Sequence, residues 1–202
     1  MKKVRMTIKI YLMVLVTLTA MSCKDASQEK EVSEPMSSEM YQEDSDNQGG
    51  SGKMMAENAG NNATNTIIDN YLQLKNALVA DDQEAAAQAG GKLVDEFENF
   101  DKSNYSSEEQ QELTDIIEDA KEHAEHIAES AIDHQREHFD ILSKDVIDMI
   151  AITGTNKKLY QDFCPMYNNN KGAQWLSATK EIKNPYFGSK MMDCGNIQKE
   201  IN

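Results

Sequence analysis

Long apolar stretches are almost absent from this chain. The one of note, "IYLMVLVTLTAM" at 10–21, is shorter than the roughly 20 residues a membrane-spanning helix needs. Cysteine occurs only 3 times in 202 residues, too few for a small scaffold held by disulfides in place of a core. Proline is equally scarce, so little interrupts helix formation. Basic residues number 20 against 35 acidic ones, a balance that repels nucleic acid and anionic lipid. There is no Gly-x-Ser-x-Gly elbow, no His-Glu-x-x-His pair and no phosphate-cradling glycine loop. The near miss His123-Ala124-Glu125-His126 lacks the required spacing. With no nucleophile–base constellation, the chain reads as a binding or structural protein and not as an enzyme.

What is present begins with an export signal. A basic start, "MKKVRMTIK", precedes the apolar run, and Ser22 stands directly before Cys23. This resembles a bacterial lipobox. The expectation is a lipoprotein signal peptide over 1–22, cleavage before Cys23, and lipidation of that cysteine. Four of the 20 bases lie in the signal (Lys2, Lys3, Arg5 and Lys9), leaving 16 against 35 acids, a net charge of −19. Residues 23–65 are rich in Ser, Glu, Asn and Gly and nearly free of branched aliphatics, which predicts a flexible acidic tether.

Residues 66–202 are the expected domain. Four amphipathic segments follow one another. Ile67, Ile68, Tyr71, Leu72, Leu74 and Leu78 mark the first, and Leu93, Val94 and Phe97 the second. Leu113, Ile116, Ile117, Ala120, Ala124 and Ile127 mark the third. Ile132, Phe139, Leu142, Val146, Met149 and Ile150 mark the fourth. Ser106 with Glu109, and Ser130 with Asp133, offer capping boxes. Gly90-Gly91 predicts a kink or a close approach. The expected fold is all-α: an antiparallel four-helix bundle with an irregular Cys/Met/aromatic C-terminal tail, made of turns and short strands, packed on it.

Two groups of side chains could carry chemistry. The tail holds Cys164, Met166, Met191 and Cys194, soft sulfur donors suited to Cu(I) and, for the thiolates, to zinc as a second choice. The same two cysteines, in an oxidising compartment, could close a disulfide over about 30 residues, worth roughly 3–4 kcal/mol, or remain free thiols. Asn184-Pro185 offers the turn that folds the tail back. All four histidines lie within sixteen residues. His123 with His126, and His134 with His138, are each one helical turn apart, possible auxiliary ligands or a solvated hairpin surface. Arg136 is expected to pair with nearby acids.

"YLQLKNALVADD", "EHIAESAIDHQREHFDILS" and "FCPMYNNNKGAQWLSATKEIKNPYFGSKMMDCG" occur in the order and spacing of one bacterial family, the domain of unknown function 3347, and the chain resembles it from about Thr66 to Ile201. The positions that carry the resemblance in the tail are Cys164, Pro165, Met166, Trp175, Asn184, Pro185, Tyr186, Gly188, Met191, Cys194 and Gly195. That family occurs in secreted proteins and lipoproteins and on periplasmic adaptor subunits of heavy-metal efflux pumps. The resemblance therefore implies handling of copper or a related ion in the cell envelope, facing the periplasm or anchored in the outer membrane, with an efflux adaptor as the partner. The alternative is a non-metal interaction module held by a Cys164–Cys194 disulfide.

Overall fold

The structure, a computed structural model, describes the backbone of residues 50–202 and the side chains from Asn62 onward. The expected signal, Cys23 and the tether up to residue 49 lie outside the described residues. Four long helices come first: α1 (Gly50–Val79), α2 (Gln83–Glu98), α3 (Ser107–Glu129) and α4 (Ile132–Thr153). Three short strands follow: β1 (Leu159–Cys164), β2 (Ala173–Ser177) and β3 (Asn196–Ile201). Helix α1 starts at Gly50, and Thr64 and Asn65 are buried, so the packed chain begins ahead of the boundary expected at residue 66.

The apolar stripes read from the sequence form the core. Tyr71, Leu74, Leu78, Leu93, Leu113, Ile127, Phe139 and Leu142 are fully buried. The ends that meet show how the helices alternate in direction. Gln135 near the start of α4 donates to the Gln83 carbonyl of α2 (3.1 Å) and the Ile127 carbonyl of α3 (3.0 Å). Arg136 donates to the Leu78 carbonyl of α1 (3.0 Å). At the opposite end Thr155, just after α4, reaches Asn65 of α1 (3.0 Å), and Lys157 grips Asp69. Gly90 explains the closeness of α2 and α3. A Cβ there would lie 3.0 Å from both the Ala124 carbonyl and Ile127, whereas Gly91 faces open space. The glycine pair thus serves close packing at Gly90.

Helix starts follow local chemistry in two cases and tertiary contact in a third. Asp82 accepts from the Ala85 N–H (3.0 Å), and Ser106 with Glu109 forms the complete capping box. The second expected box does not form. Ala131, not Ser130, is the N-cap of α4 and gives no side-chain bond, and the Ile132 N–H is taken by Gln83 of α2 (3.1 Å). A neighbouring helix supplies the acceptor that Ser130 would have offered.

The all-α expectation does not hold. Beyond Gly154 the chain forms a three-stranded antiparallel sheet in the order β2-β1-β3, and β2 packs on α4. Leu159, Tyr160, Asp162 and Cys164 are buried along β1, and Trp175, Leu176 and Ser177 along β2. The β-branched and aromatic content alone is modest. The pairing is fixed instead by Trp175 and Leu176 entering the helical core, where the Leu176 N–H donates to the buried Tyr71 hydroxyl (3.1 Å). Between β1 and β2 the chain turns through Asn168, Asn169 and Asn170, all with left-handed backbone (φ 49, 56 and 65). Asparagine tolerates that region better than other side chains carrying a Cβ. No helix among the described residues is long and apolar enough to cross a membrane.

Candidate functional site

The tail is fastened to the helices before it builds a site. Buried Arg136 of α4 donates to the Pro185 carbonyl (3.0 Å) and pairs with Asp81 at the end of α1, which also accepts the Ser189 N–H (3.1 Å). Those contacts hold the Asp81 carboxyl well below its ordinary range, at about 2. Arg136 thus pairs with acids as expected, Asp133 included (3.7 Å), and its larger role is to anchor Pro185. Buried Asn184 ties the turn together. Its carbonyl oxygen accepts the N–H groups of Tyr186 (2.8 Å) and Phe187 (3.1 Å), and its amide donates to the Cys194 carbonyl (2.6 Å). This is the return of the tail that Asn184-Pro185 predicts.

Through that turn Cys194 comes against Cys164. Both are free thiols, Cys164 buried at the end of β1 and Cys194 half-buried ahead of β3. They are close enough to hydrogen-bond, and the Met166 N–H also donates toward Cys194. Burial, followed by contact with Cys164, pushes the Cys194 thiol up to about 11. Gly195 makes the approach possible. A Cβ there would meet the Trp175 ring at 2.7 Å and the Phe163 carbonyl at 3.1 Å, and the residue holds φ +150. The methionines are less enclosed. Met166 is 51% exposed and lines a groove of about 700 Å³ with Glu137, Ile141, Tyr167 and Phe187. Met191 joins through its backbone, its carbonyl accepting the Cys194 N–H (3.2 Å).

The four histidines form a cluster of their own where α3 turns into α4. His123 Nδ1 lies 2.8 Å from His138 Nδ1, and His138 Nε2 lies 3.0 Å from His134 Nε2. His126 stacks on His138 with ring centroids 4.4 Å apart. One nitrogen each of His126, His134 and His138 falls within 4.8 Å of the others. Burial, and then the neighbouring imidazoles, lower the His138 pKa from its ordinary value. Asp119, His123 and Asp145 form an adjoining group at the same spacing. Asp145 is pushed up to about 7, mostly by burial and then by Asp119 and Asp148.

The sequence reading missed Asp119, Glu137 and Asp145 as companions of the histidines. The signal was available: Asp119 lies four residues before His123 and Glu137 three after His134, one helical turn in each case. Asp145 belongs to the cluster only through the packing of α4 on α3. Thiols and imidazoles sit apart in the chain, the thiols at the end of β1 and just ahead of β3, the imidazoles on the α3–α4 hairpin.

No curated protein and no solved structure matches the chain. The family comparison covers the helices and stops before β1, so the cysteine and methionine motifs of the tail lie beyond it. Residues 67–158 match the family described as "Protein of unknown function (DUF3347)", the family that the sequence resembles.

Proposed function

We propose that the chain is a lipid-anchored extracytoplasmic metal-binding protein that sequesters or delivers Cu(I), or a related soft ion, in connection with heavy-metal efflux. The observation that carries this reading is the unbonded, face-to-face placement of Cys164 and Cys194. Two thiolates are a sufficient soft ligand pair for Cu(I), which outcompetes their protons, and zinc would be the second choice. Met166, two residues after Cys164 and exposed to the groove beside α4, would take over or release the ion at the surface. Met191, whose carbonyl accepts the Cys194 N–H, would contribute from the other side of the turn. The lipid at Cys23 and the acidic tether would hold the domain at the envelope membrane, within reach of an efflux adaptor. No catalytic step is assigned.

The same thiol contact favours a second reading, in which oxidation joins Cys164 to Cys194 and the domain serves as a clasped interaction module. Mass spectrometry of the full chain, isolated without chelator and compared before and after reduction, separates the two. Bound copper in the reduced protein supports the metal reading. A loss of two daltons with no metal under any condition supports the clasp. The anchor is tested separately: Cys23→Ser should abolish partitioning into the detergent phase, and a mutant that partitions like wild type would place the anchor elsewhere.

A further inference from the structure

The imidazole cluster carries an inference that does not depend on the sulfur reading. Its hydrogen bonds determine where the ring protons sit. Glu137 Oε2 lies 2.8 Å from His134 Nδ1. A carboxylate can only accept, so neutral His134 carries its proton on Nδ1 and leaves Nε2 as a bare lone pair. On the other side, His123 Nε2 faces the Asp119 carboxylate at 3.7 Å, beyond hydrogen-bond distance. His138 bridges the rings: its Nε2–H donates to the bare His134 Nε2 (3.0 Å), and its Nδ1 accepts from His123 Nδ1–H (2.8 Å).

The two Nε2 atoms stand 3.0 Å apart and share one proton, which a metal ion could replace. A single proton could serve two nitrogens, but a third converges: His126 brings one within 4.8 Å, on an exposed ring that can rotate toward the other two. Tetrahedral zinc, with Zn–N bonds of 2.0–2.1 Å, sets its ligand nitrogens about 3.3 Å apart, close to the observed spacing. Each inner imidazole is also steered from behind by a partner on its other nitrogen, Glu137 for His134 and His123 for His138. That is the outer support metal-bound histidines usually have.

We propose that His126, His134 and His138 form a binding site for one divalent ion of the zinc, nickel or copper(II) class, with His123 as a positioning residue. The ligands are borderline nitrogen donors, whereas the thiol pair is soft, so the two sites select different ions.

The test is cobalt(II) titration of the full chain, followed by displacement with zinc. Uptake of one equivalent is expected, with visible bands of nitrogen coordination and no thiolate charge-transfer band. The Cys164→Ser/Cys194→Ser double variant should bind cobalt identically, which keeps this result separate from the fate of the copper reading. His134→Ala, at a solvent-exposed position, and His138→Gln should each weaken binding at least tenfold. His123→Ala should weaken it about tenfold with the band positions unchanged. Failure to take up cobalt, a thiolate band, or unchanged affinity in His134→Ala would overturn the proposal. A shifted spectrum in His123→Ala would overturn the positioning role.

Discussion

Arg136 and Asp81 join the last turn of α1, the start of α4 and the tail in one polar knot, which makes the docking of the tail sensitive to acid. The Asp81 carboxyl sits below its ordinary 3.8, at about 2, first through the Ser189 hydrogen bond and then through Arg136. A lowered carboxylate pKa contributes stability that is present above about pH 4 and lost as the pH falls through about 2. Asp81 is partly exposed, so solvent screening reduces the contribution to about 1 kcal/mol. Thermal unfolding followed by the fluorescence of buried Trp175 should therefore show a drop between pH 4 and 2 that is absent in Asp81→Asn. An identical acid profile in the variant would contradict this role. The sequence showed Arg136 among acids, and one of its acid partners, Asp133, lies a helical turn away. Its bond to Pro185 spans 49 residues and could come only from the fold.

The helices divide into features set locally and features set by their neighbours. The capping box at Ser106 is local, and Ser106→Ala should cost about 1 kcal/mol in denaturant unfolding. A change below a few tenths would mean that α3 is held by packing alone. Gly90 and Gly91 give a paired contrast. Gly91→Ala meets nothing within 4 Å and should stabilise by up to about 1 kcal/mol through helix propensity. Gly90→Leu must push α2 away from the α3 backbone and should cost about 1–3 kcal/mol. Equal effects at the two positions would contradict the close helix contact. The four helices were legible because their apolar periodicity is strong and proline is scarce. The start of α4 was misread because its cap comes from Gln83, on another helix. The strands were only partly legible. Their register depends on Trp175 and Leu176 reaching Tyr71 and the bundle core, and no short-range pattern encodes that.

For the whole molecule, the helices supply a scaffold on which two chemically different clusters are mounted. The sequence pointed to both, because Cys164, Cys194, Met166, Met191 and Met192 fall in the tail and all four histidines fall within 123–138. It could not show that the thiols would meet, since that depends on the Asn184 turn and on Gly195 slipping past Trp175. Nor could it show that the histidines would form a group apart from the sulfurs. That follows from the α3–α4 hairpin bringing residues 123 and 126 onto 134 and 138. The most direct test of the metal-binding account is a competition titration of the reduced full chain against a chromophoric Cu(I) chelator. The account predicts that one Cu(I) per chain is withdrawn from the chelator, that Cys164→Ser/Cys194→Ser abolishes this, and that His134→Ala leaves it intact. Reduced, folded protein that withdraws no Cu(I), or a double-cysteine variant that binds as tightly as wild type, would contradict it.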